Sequence, residues 1–524
     1  MIPNRVLTVI ILCLVSSSQL FAQETFEEWK KKQMEEYQSF KEEGDKEFMK
    51  YLEAAWEVVE SKNGSKQYDE AKPTSLPVAK LPEKKPGFDN KRNNQSDKKQ
   101  PVDVTDFSDV AVTIPTDVVD KKSPEKLVEP TRSDLSVIPP TDSKTPSDGD
   151  EKDKNQTLQT AKTTFYNVPI AFRYDPKINY QLNFGDEIDK KSISNYWKVM
   201  GSSNYESLLN RALTARDQLR LNDWGFTRLL YQMGGNIYGT NHNANVLFTW
   251  FMLSKANYTA KVGYNNHTIF LLTPSQNRLY NTDYFRLDGD KYYVFEFDET
   301  ERKPQNVYTY KGTYPEANRK LSYRIANSPL LESDSLTKSL TFSYRGEEHV
   351  FDVNLNNTLI SYYKTYPQAD LDIYFSADVA PEISTGLVGA LRPIIQGKSE
   401  YEAVNMILRF VQTAFEYQVD DEQFGREKYL FPEETLFYPA SDCEDRSILF
   451  AYLVRQLTGL EIVGLRYPSH LAVAVHFTQP PEGDHVKVDG HTYTMADPTY
   501  KYADVGMTMP HLKDQNPIVL KFDR

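Results

Sequence analysis

The sequence predicts an α+β chain in which a cysteine-bearing helix packs on an antiparallel sheet, and it predicts that this unit occurs twice. Three observations carry that expectation. Ser441–Leu457 (SDCEDRSILFAYLVRQL) sets Ile448, Leu449, Tyr452, Leu453 and Leu457 at helical spacing, and alternating strand-like runs follow. The pattern recurs at an offset of 201 residues: HNANVLFTWFMLSKANYTAKVG from His242 lies over CEDRSILFAYLVRQLTGLEIVG from Cys443, and Leu287-Asp288-Gly289 lies over Val488-Asp489-Gly490. Upstream, Tyr205-Glu206 pairs with Tyr401-Glu402 and Trp224-Gly225 with Phe424-Gly425, allowing small gaps. Lastly, the composition changes sharply between Ser61 and Lys162, where Pro, Lys, Asp, Ser, Thr and Asn dominate.

Taken in order, residues 1–22 read as a secretory signal. Arg5 precedes an apolar run from Val6 to Val15, then Ser16-Ser17-Ser18 and Leu20-Phe21-Ala22, with cleavage after Ala22. The run falls well short of the roughly 20 residues needed to cross a bilayer. An exported protein is expected, periplasmic or secreted, with no transmembrane segment. Residues 23–60 form an amphipathic helix with an 11-residue period that puts Phe26, Tyr37 and Phe48 in one phase and Trp29, Phe40 and Tyr51 in another. That aromatic stripe either serves docking or self-association through residues 24–60, or packs on the chain's own domain. Residues 61–162 are expected to be a disordered linker able to span on the order of 50–60 Å.

Residues 163–304 form the first unit. Helices are expected at Tyr205–Leu219 and Val246–Leu253, and strands near Thr268–Leu272 and Lys291–Phe297. Residues 305–524 hold a β-rich segment with a hairpin turning at Arg345-Gly346, a helix over Tyr401–Phe415, and the second unit.

The chemistry concentrates in that second unit. Cys443 is one of two cysteines in the chain, and the other, Cys13, lies inside the signal. Ser441 or Asp442 is expected to cap the helix, with Glu444 closing a capping box on Ser441. Cys443 then falls in the first turn, where the helix macrodipole lowers a thiol pKa while Glu444 and Asp445 oppose the effect. Downstream, LRYPSHLAVAVHF alternates, with Leu471, Val473, Val475 and Phe477 on one face and His470, Ala472, Ala474 and His476 on the other. The small alanines are expected to admit the Cys443 helix beside His470. HTYTMADPTY reads as a strand ending at Asp497, cut off by Pro498. A thiol on a helix, an imidazole at a strand start and a carboxylate at a strand end are what acyl transfer through sulfur requires. His476 is the reserve base, Asp489 reads as a turn former before Gly490, and Gln423 and Tyr438 are candidate cleft residues. The first unit carries His242 and Glu296 at the positions of Cys443 and Asp497, so it lacks the nucleophile.

SDCEDRS, a strand histidine and then ADPTY resemble the transglutaminase-like superfamily of papain-like cysteine proteases and acyltransferases. The resemblance covers roughly Tyr401–Tyr502 and, more weakly, the first unit. It implies tandem transglutaminase-like domains, the first degenerate, with Cys443 as nucleophile, His470 as general base and acid, and Asp497 as orienting carboxylate. Ser441 stands where many relatives have glycine. The expected partner is a peptide or protein amide, hydrolysed through a thioester. Protein cross-linking and a non-catalytic peptide- or glycan-binding adaptor are the alternatives. No cofactor or metal is expected, because Cys443, His470, His476, His485 and His491 show no metal-ligand spacing. A net charge of −13 argues against nucleic acid as partner.

Overall fold

The computed structural model describes residues 42–64, 72–79, 158–180, 188–298 and 304–522. The expected signal sequence and the first half of the aromatic stripe lie outside the described residues. The architecture is mixed helix and antiparallel sheet.

The chain enters through a helix over residues 42–53 (α1). Its Phe48 is buried, with ring centroids 4.5 Å from Trp197 and 5.6 Å from both Tyr310 and Tyr314. Tyr51 lies against Gly312, which has no Cβ and a φ of +80°; a side chain there would run into the Tyr51 ring. Both phases of the stripe, as far as they are described, pack on the chain's own domain. The helix also stops earlier than residue 60. Trp56 donates from Nε1 to Leu52 O at 2.9 Å, and the β-branched Val58 and Val59 enter a strand, Glu57–Glu60 (β1).

Gln159–Phe165 (β2) and Val168–Tyr174 (β3) form a hairpin. Four helices follow: Lys190–Gly201 (α2), Tyr205–Gln218 (α3), Asp223–Tyr238 (α4) and His242–Lys255 (α5). Next come Lys261–Tyr264 (β4), Ile269–Pro274 (β5), Tyr284–Leu287 (β6), Asp290–Val294 (β7) and Asn306–Thr309 (β8). They join β1 in a six-stranded antiparallel sheet of order β1-β8-β4-β5-β7-β6.

Ser335–Tyr344 (β9) and Glu347–Asn356 (β10) form the hairpin expected at Arg345-Gly346, both of which have positive φ, as a type I′ turn requires. Glu400–Thr413 (α6) is capped by Ser399. Two short parallel strands, Glu416–Tyr417 (β11) and Ala440–Ser441 (β12), lead to the cysteine helix, Cys443–Thr458 (α7). Glu461–Arg466 (β13), Leu471–His476 (β14), His485–Val488 (β15), His491–Ala496 (β16) and Ile518–Leu520 (β17) complete a second sheet of order β15-β16-β14-β13-β17.

The two sheets share one strand order, with β8-β4-β5-β7-β6 corresponding to β17-β13-β14-β16-β15. Their hairpin turns match as well: Asp288 and Gly289 have φ of 51° and 86°, and Asp489 and Gly490 have 51° and 85°. The upstream pairing of Trp224-Gly225 with Phe424-Gly425 does not hold in space. The first pair opens the 16-residue α4, and the second closes a five-residue helix, Asp420–Phe424, with Gly425 as a left-handed cap.

Part of the expected linker is ordered against this body. Lys62 bridges to Tyr284, and residues 72–79 lie on the second unit, where Val78 pairs in parallel with Lys501. Ala79 N donates to Lys501 O and Lys501 N to Pro77 O, each at 2.9 Å. Pro73 and Pro77 fix an extended path without needing N–H partners, so a proline-rich composition is compatible with docking as well as with disorder.

Replacing Phe48 by Ala is expected to cost about 3–5 kcal/mol of stability, read as a lowered urea midpoint. A helix kept for an external partner would instead tolerate the change with little effect.

Candidate functional site

Helix α7 begins one residue later than the Ser441 capping box implies. Asp442 is the N-cap, and its N–H donates to Asp445 Oδ2 at 3.2 Å, while Asp445 Oδ1 accepts from Leu430 N at 2.9 Å. Cys443 is thus the first helical residue, with no exposure. Gly459, at φ 71°, closes the helix as expected.

The helix packs on the opposite face of β14 from the one expected. Leu471, Val473 and Val475 share the main core with Cys443, Ile448 and Leu449. Ala472 and Ala474 face a smaller core with Tyr467, Tyr493 and Met495. The large branched side chains give the helix more surface to bury, and the alanines make room for aromatic rings behind the sheet.

His470 lies just before β14 and Asp497 just after β16, so the antiparallel pairing brings them to one end of the sheet. His470 Nε2 is 2.9 Å from Asp497 Oδ2, and both are buried. A carboxylate only accepts, so the ring donates from Nε2 and keeps Nδ1 for other work. Asp497 Oδ1 accepts from Thr499 N at 2.9 Å and Tyr500 N at 3.2 Å, which holds the carboxylate in place. Ser447, one turn along α7 from Cys443, donates to Leu471 O at 3.1 Å and ties the front of the helix to this end of the sheet.

The His470 ring lies 6.4 Å from that of Tyr467, a member of the smaller core, while Cys443 belongs to the main core. Cys443 Sγ donates to Glu444 Oε2 at 2.9 Å, and among the described residues no hydrogen bond joins it to His470. Burial first, then Glu444 and Asp442, push the thiol well above its ordinary pKa, and Lys72 offsets part of this. The expectation of a thiol primed by the helix end is therefore corrected for this state. The macrodipole is outweighed by desolvation and two adjacent carboxylates.

The remaining candidates fall elsewhere. His476, at the far end of β14, sits beside His491 and Tyr493, with Nδ1 3.9 Å from Glu461 Oε2. Asp489 is in its turn, Gln423 donates to Ala440 O at 3.3 Å, and Tyr438 packs on Phe424. In the first unit His242 bonds Ile269 O at 3.3 Å and Tyr231 OH at 3.0 Å. Glu296 lines a cavity of about 760 Å³ with Trp224, Arg228, Phe297, Tyr366 and Arg426.

Three residues of the site escaped the sequence reading. Arg446 is fully buried and donates to Ser441 Oγ (3.2 Å) and to the carbonyls of Gln412 (3.3 Å), Phe415 and Glu416 (both 2.9 Å). Gln412 Nε2 donates to the carbonyls of Asp497 (3.1 Å), Tyr500 (2.8 Å) and Ala503 (3.0 Å). Its signal was a polar residue at an apolar phase of α6, next to Val411 and one turn after Leu408. Lys72 is the third. Its Nζ lies 2.5 Å from Glu427, 2.6 Å from Asp442, 3.0 Å from Glu444 and 3.6 Å from Asp420. Burial works against its charge, but Asp442, Glu444 and Asp420 hold the ammonium's pKa well above its usual value.

Asp442, Cys443 and Glu444, and likewise Asp420, Asp442 and Asp445, present ligand atoms close enough to one another to share a metal ion. Among the described residues no helix is long and apolar enough to cross a membrane. Comparison with known protein families, with curated proteins and with solved structures gives no match.

Iodoacetamide at pH 8 is expected to alkylate Cys443 at least about tenfold more slowly in the native chain than in urea, because each unit of raised pKa removes that factor of thiolate. Equal rates in the two states would mean that the thiol is neither buried nor held neutral.

Proposed function

We propose that the chain is an exported, transglutaminase-like cysteine hydrolase acting on peptide or protein amides, with Cys443, His470 and Asp497 as its catalytic residues. The observation that carries the reading is the buried His470–Asp497 pair, 2.9 Å apart, at the sheet end to which Ser447 ties the Cys443 helix. A hydrogen-bonded histidine and carboxylate hidden from water, at the sheet end that Ser447 ties to a cysteine-bearing helix, is costly to maintain without a use for the ring. The tandem arrangement is part of the proposal: the first unit, with His242 and Glu296, keeps the scaffold without the nucleophile.

In the working state Cys443 would turn from Glu444 towards His470. The thiol proton passes to Nδ1 of His470, and sulfur bonds to the carbonyl carbon. Asp497 steadies the imidazolium through Nε2–H. The tetrahedral oxyanion takes up the N–H groups at the start of α7, beginning with that of Cys443. The C–N bond breaks as Nδ1 returns the proton to the leaving amine, which leaves a thioester. Water then adds to the thioester carbon, giving its proton to Nδ1. The C–S bond breaks, and the acid and the thiol are released.

A second reading, a non-catalytic binding adaptor, is favoured by the neutral, covered thiol and by the cavity at Glu296. The two readings part on one measurement. Amide hydrolysis is expected to vanish in Cys443→Ala and in His470→Ala. Asp497→Asn, which keeps the contacts to Thr499 and Tyr500, should lower the rate by a factor on the order of 10² to 10⁴. Turnover unchanged in Cys443→Ala overturns the enzymatic reading.

A further inference from the structure

We propose that residues 72–79 are an internal strap lying across the Cys443 site, and that Lys72 fills a subsite for a primary alkylammonium group, so that ligands bearing such a group compete with the strap. The strap enters at Lys72, is held at Pro73 O by a 2.8 Å hydrogen bond from Tyr417 OH, and leaves along Lys501. Lys501 lies four residues beyond Asp497. The segment therefore spans from the start of the cysteine helix to the loop that follows the dyad carboxylate. Ala79 is buried in the smaller core behind the sheet, so the strap is anchored at both ends.

The pocket has the features of a cation subsite rather than of an accidental ion pair. Four carboxylates from three separate stretches of chain, Asp420, Glu427, and Asp442 with Glu444, converge on one ammonium. The Lys72 side chain is only 6% exposed, and Asp442 and Glu444 are not exposed at all. Two acceptor atoms remain without a hydrogen bond, Asp442 Oδ1 and Asp420 Oδ1, so the pocket offers more acceptors than the strap uses. Burying that many carboxylates is unfavourable unless a cation comes with them. Glu444 joins the pocket to the chemistry, because its Oε2 accepts from Cys443 Sγ at 2.9 Å and lies 3.0 Å from Lys72 Nζ. An ammonium in the pocket and the resting position of the sulfur therefore share one oxygen.

The inference rests on the reading of Cys443 as a reactive thiol and extends it to a ligand class. Alkylation of Cys443 in the full chain, followed by peptide mapping, tests it without requiring turnover. Lys72→Glu, which sets a like charge against the pocket, and Ala79→Pro, which deletes the N–H that holds Lys501 O and leaves the pocket charges alone, should each speed labelling by about tenfold or more, the equivalent of about 1.4 kcal/mol of lost docking. Unchanged circular dichroism would show that the fold persists. In Lys72→Ala, n-butylammonium, which reproduces the lysine side chain, should slow labelling saturably, whereas n-butanol should not. Labelling unchanged in both strap variants overturns the proposal. So does protection in Lys72→Ala by butanol as strong as by butylammonium, or protection by Ca²⁺ or Zn²⁺ alone, which would make the pocket a metal site. Faster labelling in the strap variants with no amide turnover in any of them would instead remove the hydrolase reading and leave the strap standing.

Discussion

The buried guanidinium of Arg446 sets the geometry on which the site depends. A charge without access to water needs an acceptor for its donors, and Arg446 finds them in Ser441 Oγ and the carbonyls of Gln412, Phe415 and Glu416. Those carbonyls lie at or just beyond the C-terminal end of α6, where a helix leaves its C=O groups unpaired. One side chain thus closes α6 and pins the start of α7. Gln412 carries the connection onward, because its amide gathers the carbonyls of Asp497, Tyr500 and Ala503. A continuous run of hydrogen bonds links the cysteine helix to the loop that carries the dyad carboxylate, and neither end can shift without leaving buried polar groups unpaired.

The same scaffold occurs in the first unit with different contents. Helix α5 has a neutral N-cap, Asn241, and no acidic residue in its first turn, whereas α7 has Asp442 as N-cap followed by Glu444 and Asp445. A helix N-terminus favours negative charge, but three carboxylates without exposure exceed what a macrodipole worth up to about 2 kcal/mol can hold ionised. The contrast between the two units therefore lies in charge as well as in the exchange of cysteine for histidine. The second unit has a buried anionic pocket, and Lys72 supplies it with a positive charge from another part of the chain.

Much of this was legible in the sequence, and what was missed has physical causes. Period and caps located α3, α5, α6 and α7 to within a few residues, and the 201-residue offset anticipated two sheets of one strand order, because turn residues such as Asp288-Gly289 and Asp489-Gly490 fix hairpins locally. His470 and Asp497 meet as their positions at strand ends suggested. The face of β14 that carries the helix was misread, since alternation tells two faces apart without saying which one a helix covers. The strap was missed because a lysine among prolines and polar residues looks solvated until four carboxylates from distant positions are brought around it. The 11-residue period carries no stop signal of its own, so the expected helix runs to residue 60, whereas the chain leaves the helix after residue 53 and enters β1 at Glu57.

The neutral thiol and the docked strap belong to one arrangement. Lys72 brings a single positive charge to a pocket that already holds Asp420, Glu427, Asp442 and Glu444. A thiolate there would add another negative charge in a poorly screened environment, so sulfur keeps its proton and gives it to Glu444 as a hydrogen bond. Desolvation is the largest cause of the raised thiol pKa, and withdrawing the strap would relieve part of that burial while also removing the offset that Lys72 supplies. Water admitted to the pocket would solvate the carboxylates and the sulfur together, weaken their mutual repulsion, and free Cys443 from Glu444 within reach of the helix N–H groups. Access to the thiol would then be governed by the strap rather than by a permanently depressed pKa.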